Sequence, residues 1–203
     1  DYKNFIPAIN KLCELGYYVL RMGEVTKGDF RIQNKRFIDY SKYYRSDFLD
    51  IFLPQRCDYY IGSGAGFDTV PMWVFRKPFL WVNAVPISVP TLNAGNGIYS
   101  LKLHFDNKLN KYLNIDEIFK RELDSTYNSS KFINNNILLE ENKPEDIKEM
   151  ALELVNNHKE KTELTTAQIA FGKKMMSLMK INTSQLNYLN KVPIVSNYFI
   201  KKY

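Results

Sequence analysis

The residues with the greatest capacity for chemistry lie in a glycine-rich segment, G-S-G-A-G, at residues 62–66. The segment follows a strand predicted over residues 57–61 and precedes a helix predicted over residues 67–75. Glycines let the backbone approach a ligand closely, and the N–H groups at the start of a helix bind anions. We therefore predict a phosphate-binding turn, with a purely structural strand-to-helix turn as the alternative. The spacing fits neither the dinucleotide fingerprint nor a P-loop, which argues against dehydrogenases and NTPases.

Arg21 is the next candidate, because it closes an otherwise apolar run at residues 17–22. An unpaired charge is costly to bury, so we expect its side chain to reach out at the carboxyl edge of the sheet. Its guanidinium fork suits a phosphate group. The alternative is a salt bridge to Asp39 or Glu24.

A third group of charged residues surrounds a helix predicted over residues 47–53, with Ser46 as its cap and Pro54 at its end. Asp47 and Asp50 have i, i+3 spacing on one face of this helix, and Arg45 precedes it. Asp50 lies among apolar residues, which is unusual for a surface charge. A ligand contact is one interpretation of Asp50, whereas Asp47 is as readily explained as a helix cap.

The sequence contains none of the other common motifs for metal binding or catalysis that we considered. No set of His, Cys, Asp and Glu has metal-ligand spacing, and neither D-x-D nor G-x-S-x-G occurs. We therefore expect no metal and no cofactor. His104 and His158 are interpreted as structural or solvated, and Cys13 and Cys57 as buried free thiols in a reducing compartment.

The length and the hydrophobic pattern of the chain predict the secondary structure that positions these residues. The 203 residues, 45% of them hydrophobic, fit one large domain or two small ones. From residue 4 to about residue 124, short apolar runs alternate with helical periodicity, which predicts an α/β fold with a mostly parallel sheet flanked by helices. Residues 83–97 and 124–136 are predicted to be loops, and no run is long enough to span a membrane as a helix.

Charge is distributed unevenly along the chain. Residues 1–163 hold 22 basic and 22 acidic residues, whereas residues 164–203 hold six lysines and no acid. A nucleic-acid-binding protein usually carries its basic residues on the fold itself, so no nucleic-acid partner is expected. The basic arm suits docking on a membrane surface or an acidic partner, with a merely solvated tail as the alternative.

Taken together, five segments resemble a bacterial family of glycosyltransferases encoded with surface-polysaccharide genes. They are G-Y-Y-V-L-R-M-G (16–23), F-I-D-Y-S-K-Y-Y-R-S-D-F-L-D-I-F-L (37–53), C-D-Y-Y-I-G-S-G-A-G (57–66), V-P-M-W-V-F-R-K-P-F-L-W-V-N (70–83) and N-K-P-E-D-I (142–147). The resemblance implies a GT-B architecture, of which this chain is the C-terminal, Rossmann-like donor-binding domain over residues 1–160. A C-terminal helix and basic arm follow over residues 161–203. The resemblance also implies that the first strand and the acceptor domain precede this sequence.

A more distant similarity, to the donor site of core fucosyltransferases, implies roles for individual residues. Asp50 is then a contact to the nucleotide base, and Arg21 neutralises the leaving phosphate. Ser63, Gly64 and Ala65 meet the diphosphate. Arg45 and Gly66 complete the donor-binding set for a different reason: metal-independent transferases stabilise the leaving diphosphate with arginines and helix N-termini. Gly64 and Ala65 replace two hydroxyl residues of those enzymes, so the base and the sugar stay open.

The function implied is metal-independent transfer of a sugar from a nucleotide-sugar donor to a glycan or lipid-linked acceptor in surface polysaccharide synthesis. The location implied is the cytoplasm, with peripheral contact at the inner membrane through the basic arm. The general base is unassigned and is expected from the missing domain. Two alternatives stay open: an epimerase-like enzyme of the same fold, and a non-catalytic module that binds sugar nucleotides or proteins.

Overall fold

A four-stranded parallel sheet is the centre of the fold. The computed structural model describes residues 1–24, 32–92, 95–160, 162–181 and 193–203. The sheet has the order β3-β4-β5-β9, and all of its pairings are parallel. Its strands are β3 (Tyr60–Gly62), β4 (Phe79–Ala84), β5 (Gly97–Leu101) and β9 (Ile194–Val195). Every residue of β4 is buried, as expected for a central parallel strand covered on both faces. The predicted α/β class with a parallel sheet is confirmed.

Two smaller sheets accompany the central one. β1 (Val19–Leu20) pairs in parallel with β2 (Phe37–Ile38). An antiparallel sheet has the order β7-β6-β8 and comprises β6 (Leu103–Asp106), β7 (Lys111–Tyr112) and β8 (Ile137–Glu140). The chain passes directly from the central sheet to the antiparallel one, because β5 ends at Leu101 and β6 begins at Leu103.

Helices cover the sheets and supply much of the core. They are α1 (Ile6–Glu14), α2 (Tyr40–Tyr43), α3 (Asp47–Arg56), α4 (Val89–Leu92), α5 (Ile115–Lys120), α6 (Ser129–Asn134), α7 (Pro144–Glu160), α8 (Thr166–Leu178) and α9 (Asn197–Lys202). α1 packs along α7, and both present apolar residues to the core. α1 ends before Gly16, whose φ of 97° is the left-handed conformation typical of a residue just past a helix.

Four local predictions were wrong, one of them the loop over residues 83–97, in which α4 forms. α3 does not end at Pro54 but continues to Arg56, where the Cys57 N–H donates to the Leu53 carbonyl at 2.9 Å. The segment after the glycine turn is not an α-helix: a 3-10 turn, Gly66–Asp68, is followed by a π turn, Val70–Val74. Residues 124–136 are not wholly loop, because α6 forms there with the Asn128 side chain as its cap.

The C-terminal segment packs on the fold itself. β9 pairs with β5, and α9 packs against α7. The carboxylate of Asp146, on α7, accepts hydrogen bonds from Lys202, Tyr198 and Tyr203. Hydrogen bonds from these side chains lower the pKa of Asp146 against the opposing effect of burial. Among the described helices, none is both long and apolar enough to cross a bilayer.

Candidate functional site

The glycine turn at the carboxyl end of β3 is organised around a buried carboxylate, Asp68. Its Oδ2 accepts the N–H groups of Gly64 at 2.7 Å and Ala65 at 3.1 Å, and its Oδ1 accepts the Tyr60 hydroxyl at 2.5 Å. Asp68 is only 6% exposed. Burial raises the pKa of this carboxyl, and the hydrogen bonds from the turn and from Tyr60 oppose that shift. Two of the N–H groups predicted to hold phosphate are thus engaged by the chain's own carboxylate.

Glycine is required at two positions of this turn for different reasons. Gly64 has a φ of 86°, which is the left-handed region that side chains with a Cβ disfavour. At Gly62, a methyl group would lie 2.6 Å from Asp68 Oδ2, so a side chain there would displace the anchoring carboxylate. The glycines therefore fit the turn around Asp68, a geometric reason that the spacing alone did not reveal.

Trp81 places an unused donor beside this turn. It lies on β4 opposite Gly62, is 7% exposed, and its indole Nε1 has no hydrogen-bond partner among the described residues. A methyl group on Gly64 would lie 3.2 Å from this nitrogen. Buried indole N–H groups usually have an acceptor. Trp81 therefore directs an unsatisfied donor toward the turn.

A cleft of about 880 Å³ lies between β1 and β3. Its walls are mainly apolar and come from the two strands and from α1, α3 and α7. At the carboxyl ends of the strands the lining becomes polar, with Arg21, Ser63, Asn83, Lys102 and Glu141. We call this end of the cleft the carboxyl mouth. Ligands of open α/β sheets bind at this edge.

Arg21 lines the carboxyl mouth at the end of β1 and forms the salt bridge to Asp39 that was considered as the alternative to a phosphate contact. Its Nη1 lies 3.1 Å from Asp39 Oδ2, and both side chains are largely buried. Asp39 in turn accepts the Ser41 hydroxyl at 2.9 Å. The ion pair fixes the guanidinium at the mouth. The predicted partner Glu24 instead lies 3.4 Å from Arg45.

Arg45 and Asp50 form a separate cluster at α3 and do not line the cleft. Asp50 Oδ2 lies 3.0 Å from Arg45 Nε, and Asp50 Oδ1 accepts the Tyr40 hydroxyl at 2.8 Å. Burial raises the pKa of Tyr40, and the Asp50 carboxylate raises it further, against the opposing effects of the Ser46 backbone and Arg45. Because Tyr40 directly follows Asp39, the cluster adjoins the Arg21 ion pair through one peptide unit. Ser46 caps α3 by accepting the Leu49 N–H, so Asp47 does not serve as the cap residue.

A buried amide network supports the opposite side of the mouth. The Asn83 N–H donates to Ser100 Oγ and to Asn142 Oδ1, each at 3.3 Å, and the Asn142 N–H donates to Asn83 Oδ1 at 2.6 Å. Asn142 Nδ2 donates to the Leu101 carbonyl at 3.0 Å. These bonds join the ends of β4 and β5 to the start of α7, which makes this rim rigid.

The predicted residues therefore fall into two groups. Arg21, Ser63 and Ala65 line the cleft, and Gly64 and Gly66 belong to the same exposed turn. Arg45 and Asp50 lie together beside α2 and α3. Residues that were not predicted are Tyr60, Asp68, Trp81, Asn83 and Lys102. Two features of the sequence could have pointed to two of them. Asp68 is an acid four residues after Gly64, which is typical of side-chain-to-backbone turns, and Trp81 is an indole in an apolar strand.

The other reactive side chains of the described residues form no further site. The described residues contain no group of three His, Cys, Asp or Glu side chains that could hold a metal. His104 is 2% exposed, its Nδ1–H donates to the Lys102 carbonyl at 3.0 Å, and burial lowers its pKa to about 4. Cys13 is buried as expected, whereas Cys57 is only half-buried, and both thiols are free.

Comparison with known proteins adds no relative: no family model, no curated protein and no solved structure matches this chain.

Proposed function

We propose that this chain is the donor-binding half of a glycosyltransferase and holds the diphosphate of a nucleotide sugar at the carboxyl mouth. The observation that carries the proposal is the convergence of Arg21 with Ser63 at the carboxyl ends of parallel strands. The unsatisfied Trp81 N–H beside the same turn is consistent with a ligand acceptor there. The GT-B assignment rests on the sequence resemblance and is part of the proposal.

The chemistry proposed for the mouth is stabilisation of the leaving nucleoside diphosphate. As the glycosidic bond to the phosphate breaks, negative charge grows on the phosphate oxygens and must be neutralised. The Asp39 ion pair holds the Arg21 guanidinium in place, and its fork matches phosphate geometry. Lys102, which lies 3.9 Å from Glu141, adds a second cation at the mouth. No metal is needed in this scheme.

The base of the nucleotide is proposed to extend from the mouth to the Asp50 cluster. Tyr40 and Arg45 hold the Asp50 carboxylate in one orientation, as a base contact requires. Gly66 begins the 3-10 turn, and the first N–H groups of a helical turn lack an internal acceptor, so they can contact phosphate. The acceptor sugar and the general base are assigned to the domain that the resemblance places before this sequence.

The remaining partners of the proposal are a glycan or lipid-linked acceptor and the inner face of a membrane. Lys202 is bound to Asp146 and Lys174 to Asp116. Exposed lysines of the arm that retain the potential for surface contact include Lys173, Lys180 and Lys201. Lys191 lies outside the described residues.

A second candidate, a binding module without turnover, is favoured by one observation. Asp68 already occupies the N–H groups of Gly64 and Ala65, so these two donors are unavailable to phosphate while the carboxylate stays in place. A module that recognises a ligand only through Arg21, Lys102 and the exposed Ser63 needs no leaving-group chemistry. It predicts binding of nucleotides without sugar transfer, even with the acceptor domain restored.

Thermal unfolding with GDP, UDP, ADP, UDP-glucose and GDP-mannose tests the binding step. A ligand present at 100 times its Kd adds about 2.7 kcal/mol of stability. For a chain of this size that corresponds to a rise in Tm of about 5–11 °C. We expect one nucleotide class to stabilise the parent, and Arg21→Ala to lose most of that rise.

The matched control is Arg36→Ala. It also removes one arginine, in this case an exposed one at the amino end of β2, where Arg36 Nη1 donates to the Gly16 carbonyl. Its ligand-induced rise should equal that of the parent. Equal rises in all three proteins would place the ligand elsewhere, and no rise in the parent with any compound would refute donor binding. Transfer to an acceptor after fusion to an acceptor domain separates the transferase from the binding module.

A further inference from the structure

Among the described strands, β1 and β3 each have one backbone edge that pairs with no other strand. On β1, the N–H groups of Val19 and Arg21 donate to the Arg36 and Ile38 carbonyls of the β2 side, at 2.8 and 3.0 Å. Backbone groups alternate in direction along a strand, so those of Leu20 point away from β2. Among the described strands, β1 pairs only with β2.

The edge of β3 is open in the same way. The Tyr60 N–H donates to the Pro78 carbonyl on the β4 side at 2.9 Å, so the backbone groups of Ile61 point away from β4. Among the described strands, β3 lies at the end of its sheet and pairs only with β4. Open edges of apolar strands in the middle of an α/β fold are unusual, because they leave hydrogen-bonding groups unmatched.

Both open edges border the same cleft. One wall of the cleft contains Val19 and Leu20, and the other contains Tyr60 and Ile61. At the amino end, the rings of Tyr17 and Tyr59 meet edge to face with centroids 5.7 Å apart, which bridges the two walls. The two edges therefore face each other across a gap and are not two unrelated surfaces.

The gap is covered by apolar side chains from helices. Ala8 and Leu12 of α1 line it together with Leu154 and Val155 of α7, and Leu53 of α3 also contributes. A central strand of a parallel sheet has such surroundings, and its side chains are uncharged and apolar for that reason. Polar groups are concentrated at the carboxyl mouth, where a strand would end.

The cleft is large enough to hold one strand. Neighbouring strands are about 4.8 Å apart, and a five-residue strand is about 17 Å long with a layer about 10 Å deep, which is on the order of 800 Å³. The cleft measures about 880 Å³. An added strand would also convert the two parallel sheets into one.

We propose that the cleft receives one further β-strand, parallel to β1 and β3, from an extended apolar segment that leads directly into α1. Asp1 and Tyr2 line the cleft together with the residues of the carboxyl mouth, which is where such a strand must end. The strand, α1 and β1 then form one β-α-β unit, the usual connection between parallel strands. The resulting order is β2-β1-strand-β3-β4-β5-β9. This inference does not depend on the proposed function.

Amide hydrogen exchange measured by NMR tests the inference. The segment Thr-Val-Ile-Val-Ile-Ser is fused directly to Asp1, and the matched control carries Thr-Pro-Ile-Pro-Ile-Ser, which cannot form a strand with two bonded edges. With the first segment, we expect exchange to slow roughly tenfold or more at both Leu20 and Ile61. With the proline control, both amides should exchange as in the parent. Val19, Arg21 and Tyr60 serve as internal references, because their N–H groups are already bonded.

Three results would overturn the inference. Equal exchange with the two segments would mean that the cleft does not bind a strand. Protection of Leu20 or Ile61 alone would mean that the segment adds to one edge without bridging both. Protection that depends on protein concentration would assign the edges to pairing between two copies of the chain. The free peptide, added in trans at the same concentration as the protein, should protect both amides less than the fused segment does.

Discussion

Removing the Asp68 carboxylate should loosen the candidate site more than any other single change in the turn. Asp68→Ala deletes the acceptor of the Gly64 N–H, the Ala65 N–H and the Tyr60 hydroxyl. Hydrogen bonds to a charged group contribute about 1.5–3 kcal/mol each, and burying the carboxylate costs several kcal/mol in return. The expected net loss is about 3 kcal/mol in the free energy of unfolding, or about 6–12 °C in Tm.

Two further variants separate the contributions to this loss. Asp68→Asn keeps one oxygen for the two backbone N–H groups and can direct its amide toward the Tyr60 oxygen, so its loss should be about 1 kcal/mol. Tyr60→Phe removes only the hydroxyl and should also lose about 1 kcal/mol. Combined with Asp68→Ala, Tyr60→Phe should add little, because the two groups are partners in one interaction.

Guanidinium unfolding, followed by circular dichroism and by tryptophan fluorescence, measures these losses. Agreement between the two probes supports reading each transition as two-state. The reasoning is refuted if Asp68→Ala unfolds within about 0.5 kcal/mol of the parent, the range of ordinary surface substitutions. It is also refuted if Asp68→Asn is as unstable as Asp68→Ala, because the retained oxygen would then not serve the turn.

Two other perturbations have signs fixed by the geometry. Gly64→Ala should lose about 1–2 kcal/mol in urea unfolding because of its positive φ and its contact with Trp81, whereas Gly66→Ala, with nothing within 4 Å, should change little; equal losses would contradict this. The pKa of His104 is lowered by burial to about 4, below its unfolded value, so its contribution is present above pH 6.5 and is lost as the pH falls toward 4. That loss is about 3 kcal/mol. His104→Leu should flatten the corresponding part of the stability profile between pH 7 and pH 4, and an unchanged profile would show that His104 is not the titrating group.

The order of elements could be predicted from the sequence because it depends on local patterns. The helix that begins at Asp47 was expected from its Ser46 cap, and the strand that ends at Gly62 from the apolar run before the glycine-rich segment. The local predictions that failed are those in which tertiary packing outweighs the local preference of the sequence. α3 continues through Pro54 because one missing N–H costs less than giving up the last turn, which Cys57 closes.

The site was predictable only in part, for a related reason. Arg21 and the glycine turn were found because each ends an apolar run, and the ends of parallel strands meet at one edge. Asp68 was missed because its role depends on its side chain turning back to the Gly64 and Ala65 N–H groups. The sequence alone favoured a ligand as the acceptor of those groups. Trp81 lies on β4 and Lys102 directly follows β5, so only the assembled sheet brings Trp81 beside the turn and Lys102 to the cleft.

The strand proposed for the cleft and the site proposed at its mouth are linked by topology. A strand in the cleft would continue into α1, which packs on α7, whereas β3 continues through the glycine turn into the π turn, which packs on α3. Neighbouring parallel strands whose continuations diverge to different helices leave a crevice between them at their carboxyl ends, and ligands of open α/β sheets bind in such crevices. The carboxyl mouth is that crevice. If the fused segment protects Leu20 and Ile61, a nucleotide should raise the Tm of the fused chain at least as much as that of the parent, because the strand fixes both sides of the mouth. A fused segment that protects both amides but abolishes the nucleotide effect would instead show that the ligand and the strand compete for the same volume.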